Sequence, residues 1–201
     1  MSIGFHFQKP IDNWLEAIKL LPVGTPIKAI DNVQMLSEAK SHNPGIFTIL
    51  RHWYDEGQQF DGGYDENVKR ARDFFKTFID GTFGQHTHNV NAIEGFNEYY
   101  ADSQSPEEKT NILNWIRAVN DVWTNEYRNQ SKYAHIRLVT ANTAVGNNIP
   151  IETARIVYEH DGLLGYHPYI AVDAGTGKIH GNDWQWYSGL DRDWETNVSI
   201  F

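Results

Sequence analysis

Two adjacent polar residues, Asn97 and Glu98, follow a short apolar run that ends at Phe96, and two tyrosines come directly after them. A carboxyl group that is partly desolvated among aromatic rings has a raised pKa, so it can donate a proton to a leaving oxygen near neutral pH. An asparagine beside it can hydrogen-bond a sugar 2-hydroxyl, and this contact strengthens as an oxocarbenium ion develops. Glu98 therefore suits a general acid, and Asn97 suits a contact with a sugar hydroxyl.

Aromatic side chains concentrate in segments that we predict to be loops near the same site. They are Trp53, Tyr54, Tyr64, Trp184, Trp186 and Tyr187. Aromatic rings that lie flat against a sugar face supply apolar contact area and leave the polar edge to hydroxyls. The loop tryptophans therefore favour a carbohydrate cleft.

Short apolar, β-rich runs alternate with helical patterns, which is typical of βα units around a parallel sheet. The six predicted strands cover residues 3–7, 27–30, 46–50, 90–96, 135–140 and 163–166. At a spacing near 30 residues, eight such units need about 260 residues, close to the roughly 250 of a (β/α)8 barrel. We therefore expect a single domain over residues 1–201 with an α/β fold of TIM-barrel type, incomplete at about six βα units. An open doubly wound parallel sheet also fits the length and is the alternative.

Capping residues mark the predicted helices between these strands. Asp12, Asn32 or Asp31, Asn67 and Ser105 each precede a helical pattern, and Pro150 begins a further one. Ser105 is followed by a proline and two acids, which suit the first turn of a helix. Three tryptophans fall on apolar helix faces and are expected in the core: Trp14, Trp115 and Trp123. We also predict that a helix begins near Asp191.

Three strand ends together resemble those of clan A glycoside hydrolases, the retaining (β/α)8 glycosidases. They are Asn97-Glu98 after strand four, Gly165-Tyr166-His167-Pro168-Tyr169 at strand six, and Leu50-Arg51-His52-Trp53-Tyr54 at strand three. The resemblance implies that Glu98 is the acid/base and that Asn97 supports it. It also implies that His167 and Tyr169 lie beside the nucleophile. The expected substrate-binding residues are His52, Trp53, His167, Tyr169, Trp184 and Trp186.

The second carboxylate of a retaining glycosidase lies roughly 5 Å from the first, and in this clan it is a Glu at the end of strand seven. We read the chain as C-terminally truncated after the sixth βα unit, with the nucleophile expected from the missing strand. Glu195 is the one internal alternative, provided that Trp194 lies in a strand. The alternative function is a catalytically silent carbohydrate-binding or scaffold domain on the same partial barrel.

Composition excludes several other classes of function. There are 26 acidic and 17 basic residues, a formal net charge of -9, and no stripe of Lys or Arg, so we expect no nucleic-acid partner. The absence of cysteine excludes disulfides, thiolate zinc sites and cysteine nucleophiles. No apolar run approaches the roughly 18 residues of a membrane helix, so we expect no membrane partner and a soluble protein of unknown compartment.

The pair His86 and His88 is the main pattern that could indicate a metal. Alternating histidines on a strand share a face and can bind a metal ion together, which would make the chain a metal-dependent hydrolase. Because the pair precedes strand four beside Gly84 and Asn89, we favour a loop and expect neither a metal site nor a cofactor. The remaining partner that we expect is a second copy of the chain, through the open edges of strands one and six.

Overall fold

The computed structural model describes residues 3–7, 10, 12–52, 60, 62–79, 83–95, 104–144, 149–167 and 198–200. The strands are β1 (Ile3–Phe7), β2 (Pro26–Ile30), β3 (Phe47–Arg51), β4 (Ala92–Glu94), β5 (Arg137–Ala144), β6 (Leu163–His167) and β7 (Val198–Ile200). The helices are α1 (Trp14–Lys19), α2 (Val33–His42), α3 (Gly63–Phe78), α4 (Pro106–Val122) and α5 (Ile151–Glu159). A strand is confirmed at each of the six predicted places, although β4 is shorter than the predicted range 90–96 and β5 begins and ends later than the predicted range 135–140.

The first six strands are parallel and pair in the order of the sequence, from β1 through to β6. The fold is therefore α/β, with a curled, all-parallel sheet of six strands. The short β7 runs antiparallel, pairing with three residues of β1 and with β6 at Tyr166. Because β1 to β6 are parallel, their carboxyl ends lie along one edge, which we call the carboxyl edge.

The prediction of a helix from near Asp191 is wrong for residues 198–200, which form β7. Val198 and Ile200 are β-branched and alternate with Ser199, which is the period of a strand. A strand here also supplies backbone hydrogen-bond partners to the outer edges of β1 and β6. Those are the edges from which self-association was predicted, and self-association itself stays a prediction.

Two of the predicted helix caps are confirmed. The Ser105 hydroxyl accepts a hydrogen bond from the Glu108 backbone at 3.2 Å, while the Glu108 carboxylate accepts one from the Ser105 backbone at 2.7 Å. This reciprocal capping box fixes the start of α4. At α2, the Asn32 side chain accepts from the backbone of Met35 at 3.0 Å.

Two other caps differ from the prediction. Helix α3 begins at Gly63, so Asn67 lies inside it, buried, and donates to the carbonyl of Gly63 at 2.7 Å. Because the amide of Asn67 donates to a carbonyl of the preceding turn, this asparagine can lie inside the helix and does not have to mark its start. At α1 the N-cap is Asn13, in a left-handed conformation and with no side-chain cap, rather than Asp12.

The main hydrophobic core lies between the outer face of the sheet and the helices. The three tryptophans predicted to be core are buried there: Trp14, Trp115 and Trp123. Leu50 and Ile93 are among the strand residues that they join. Among the helices in the described part of the chain, none is long and apolar enough to cross a membrane.

Candidate functional site

The inner face of the sheet carries an apolar layer toward the amino ends of the strands. Alternate residues of a strand point to opposite faces, and the side chains that do not meet the helices form a second, separate cluster. This apolar layer consists of Phe47, Ile49, Ala92, Val139 and Leu163. Its members come from four neighbouring strands and pack against one another on the inner face of the curled sheet.

A charged layer lies next to it, toward the carboxyl edge. Arg51 and Glu94 are two residues further along β3 and β4 than Ile49 and Ala92, and therefore share their face. The charged layer consists of these two residues together with His6 and Lys28. The three residues of this layer with ionic side chains are buried: Lys28 and Glu94 are 0% exposed and Arg51 is 4% exposed.

Glu94 holds the charged layer together. Its Oε1 atom lies 3.1 Å from Lys28 Nζ and 3.8 Å from Arg51 Nε. A buried charge is stable only when it is paired, because each ion loses its hydration. One carboxylate here faces two cations directly beneath the carboxyl edge.

His6, on β1, completes the charged layer as a neutral group. Burial, followed by the positive charges of Lys28 and Arg51, lowers the pKa of His6 from its usual 6.5 to about 2. Its Nε2 atom is buried and has no hydrogen-bond partner among the described residues. The imidazole therefore adds polarity but no charge to the interior.

Above this layer, Asp31 and His52 form a pair at the carboxyl edge. Asp31 directly follows β2 and His52 directly follows β3, and Asp31 Oδ1 lies 2.6 Å from His52 Nδ1. The side chain of His52 is 22% exposed and that of Asp31 is 41% exposed. The His52 ring lies against Phe74 of α3, with 6.2 Å between ring centroids. Water and small ligands can therefore reach this pair, unlike the ions below it.

The neighbouring strands β5 and β6 approach each other through Asn142 and Gly165. These residues are paired in the ladder, and Asn142 is fully buried. A Cβ atom on Gly165 would collide with the Asn142 side-chain oxygen. The missing side chain of Gly165 therefore makes the space that Asn142 occupies.

The structure places two of the predicted site residues at the carboxyl edge. His52 lies there beside Asp31, and the backbone of His167 ends β6, paired with Ala144. The other predicted site residues lie outside the described residues: Trp53, Asn97, Glu98, Tyr169, Trp184 and Trp186. Glu195, the internal alternative for the nucleophile, also lies outside them.

Four residues of this site were missed in the sequence. Lys28, Arg51 and Glu94 were read only as parts or ends of apolar strands, and Asp31 only as an alternative helix cap. The available signal was Lys28, a charged residue between Ile27 and Ala29 in the middle of a predicted strand. A lysine in a strand with both faces covered needs a buried counterion, and Glu94 is an acid on another such strand.

The His86 and His88 pair is confirmed as a loop feature. Thr87–Asn89 is a single 3-10 turn, and the two imidazoles contact different partners: Ser37 for His86, and Asn89 for His88. Within the described part of the chain, no group of three or more His, Asp or Glu residues is placed to hold a metal ion.

Comparison with known proteins adds no relative: no family model matches the chain, and no curated protein matches it. The charged layer and the Asp31–His52 pair are therefore the observations from which chemistry can be argued. Both lie at the carboxyl ends of parallel strands, where α/β enzymes bind their ligands.

Proposed function

We propose that the chain is a glycoside hydrolase-like domain of retaining (β/α)8 type that binds a carbohydrate at the carboxyl edge. The proposal rests on the position of β4. This strand ends at Glu94 on the carboxyl edge, and Glu98 follows four residues later in the sequence. In (β/α)8 enzymes the catalytic residues come from strand ends and from the loops that follow them. The curled sheet of six sequential parallel strands supports the barrel type.

In the proposed mechanism Glu98 acts first as an acid and then as a base. It gives its proton to the leaving glycosidic oxygen while a second carboxylate attacks the anomeric carbon, and a glycosyl ester forms. Glu98 then removes a proton from water, which attacks the anomeric carbon and releases the carboxylate. Asn97 hydrogen-bonds the 2-hydroxyl of the sugar in both steps.

The nucleophile is not assigned to any carboxylate of the described site. Glu94 is held by two buried cations, and Asp31 is held by His52. A carboxylate that already pairs with a cation or accepts a hydrogen bond is a weaker nucleophile, because its lone pairs are stabilised in the ground state. The clan resemblance assigns this role to a Glu that follows a seventh strand.

The charged layer supports the proposal in a different way. Fixed charges beneath a binding edge are preorganised, so they stabilise charge in a bound transition state without having to move. The pairing of Glu94 with Lys28 and Arg51 also anchors the end of β4 to β2 and β3. Residues that follow β4 therefore begin from a fixed position.

The experiment compares the wild type with Glu98→Gln on aryl glycosides of good and poor leaving-group ability and on polysaccharides. We expect Glu98→Gln to lose about 10²- to 10⁴-fold in rate on poor leaving groups and much less on activated ones, because only poor leaving groups need the proton. The matched control is Glu107→Gln, an exposed acid in the first turn of α4, which should keep the wild-type rate.

Equal and substantial rates for the wild type and Glu98→Gln would refute the acid/base assignment. If neither protein hydrolyses any glycoside but both are retarded by a polysaccharide in affinity electrophoresis, hydrolysis is refuted and the silent carbohydrate-binding domain replaces it. If the protein neither hydrolyses nor binds these carbohydrates, the proposed function as a whole is wrong.

A further inference from the structure

The contact between Asp31 and His52 determines which ring nitrogen carries a proton. An ionised carboxylate can only accept hydrogen bonds, so the nitrogen that faces it at 2.6 Å, Nδ1, is the donor. In the neutral imidazole one nitrogen is a donor and the other is an acceptor. The neutral ring of His52 therefore has its proton on Nδ1 and its lone pair on Nε2.

Both partners of this contact are held by the backbone of the sheet. The Asp31 amide donates to the carbonyl of Arg51 at 2.8 Å, which continues the ladder between β2 and β3 by one step. The His52 amide faces the carbonyl of Glu94 at 3.4 Å on the other side. Each side chain thus starts from a strand end, and Phe74 supports the ring. Side chains positioned by rigid elements hold a functional geometry better than those on loops.

We propose that Asp31 is a positioning residue that fixes the Nδ1–H tautomer of His52 and so makes Nε2 a hydrogen-bond acceptor for a hydroxyl group of the bound carbohydrate. The identity of the ligand rests on the proposed function, whereas the tautomer rests on the contact alone. Asp31 acts through His52 and does not itself touch the sugar.

The variant Asp31→Asn tests this role with little change in shape. Asp31 has a left-handed backbone, with φ of 48°, and asparagine tolerates that conformation as well as aspartate does. The amide of asparagine can donate to Nδ1, which moves the ring proton to Nε2 and removes the acceptor. The matched control is Asp73→Asn, an exposed aspartate of α3 next to Phe74.

The first measurement is a long-range ¹H–¹⁵N spectrum of protein labelled at histidine nitrogens, recorded at a pH where the His52 ring is neutral. The chain has nine histidines, so the His52 signals are assigned by their loss in His52→Gln. We expect the Nδ1–H pattern in the wild type and in Asp73→Asn, and the Nε2–H pattern in Asp31→Asn. An Nε2–H pattern in the wild type would overturn the inference.

The second measurement is the affinity for p-nitrophenyl glycosides of glucose, galactose, mannose and xylose, followed by tryptophan fluorescence. We expect binding by Asp31→Asn to be about tenfold weaker than binding by the wild type, which corresponds to the loss of one hydrogen bond, and binding by Asp73→Asn to be unchanged. Unchanged affinity in Asp31→Asn despite a changed tautomer would overturn the role in ligand binding. If the wild type binds none of these glycosides, the carbohydrate ligand is refuted together with the proposed function, while the spectrum still decides the tautomer.

Discussion

The apolar layer and the charged layer occupy the same face of the sheet and meet on β3 and β4, yet they differ in almost every physical respect. Ile49 and Arg51 are two residues apart on β3, and Ala92 and Glu94 are two residues apart on β4. Side chains at the amino ends pack by shape, whereas those at the carboxyl ends are held by charge. The inner face of this sheet is therefore divided between a region of packing and a region of paired charge.

Because of this difference, a substitution should lower the stability of the fold for a different reason in each layer. Removing a carbon atom from the apolar layer leaves a cavity, and its cost depends on how well the neighbours relax. Removing the charge of Glu94 takes away the carboxylate that faces both Lys28 and Arg51, and small shifts of neighbouring apolar atoms cannot replace that charge. The charged layer should therefore be the more sensitive of the two.

The largest effect is expected for Glu94→Gln. This variant keeps the shape of the side chain but leaves Lys28 and Arg51 buried without their carboxylate. Breaking a buried ion pair on one side costs about 3–5 kcal/mol, and we expect a loss of that size in the free energy of unfolding, measured in urea. Glu107→Gln, at an exposed position, should change it little.

A second substitution shows whether charge is the cause of that loss. Lys28→Met in the Glu94→Gln background removes one of the two cations that face Glu94, so the double variant should be more stable than the sum of the two single losses predicts. Strict additivity would contradict the proposed pairing. So would a stability of Glu94→Gln within about 1 kcal/mol of the wild type, far below the cost of an unpaired buried charge.

In the apolar layer, Ile49→Ala should cost about 2–4 kcal/mol, because three carbon atoms are removed from a fully buried position. The control is Ile151→Ala on α5, where the isoleucine is 69% exposed and the same change should be almost neutral. Ile49→Ala should also leave the ring tautomer of His52 unchanged. A changed tautomer would show that the apolar layer and the Asp31–His52 pair are not independent.

Gly165 adjoins the apolar layer at Val139, and Gly165→Ala should cost about 1–3 kcal/mol through overpacking. The new Cβ would collide with the Asn142 side chain and would lie 3.2 Å from Cγ1 of Val139. In the Asn142→Ala background the same substitution should cost much less, because the main obstacle is gone. An equal cost in both backgrounds would show that the contact with Asn142 is not the cause of the loss.

The elements of the fold were predictable because their signals are local. Each parallel strand is covered on both faces and reads as a short apolar run, and the capping box of Ser105 and Glu108 is visible within four residues. Strand β7 was missed because its three residues adopt their conformation through pairing with β1 and β6, which lie far away in the sequence.

The charged layer was not predictable in the same way, because its contacts are not local. Lys28 and Glu94 are 66 residues apart, and only the curvature of the sheet brings them together. His52 was recognised because it follows a strand, whereas its partner Asp31 has a second interpretation as a helix cap. A charged residue inside an apolar strand was the one local sign of this layer, and it does not reveal the partner.

The smallest effect concerns the neutral member of the charged layer, His6. Its pKa is lowered from 6.5 to about 2 in the folded chain, so between these values the unfolded chain binds a proton there and the folded chain does not. Stability therefore falls as the pH falls below 6.5, and His6 should contribute a loss of about 1 kcal/mol between pH 7 and pH 5.5.

The comparison of the wild type with His6→Gln isolates this contribution, because the other eight of the nine histidines are common to both proteins. The quantity to measure is the difference between their free energies of unfolding in urea at pH 7 and at pH 5.5, and His6→Gln should lose about 1 kcal/mol less than the wild type. Parallel losses would mean that the folded chain protonates His6 despite its burial and despite the positive charges of Lys28 and Arg51. The ring of His6 would then be better solvated on β1 than the pairing of Lys28 and Arg51 with Glu94 beside it implies.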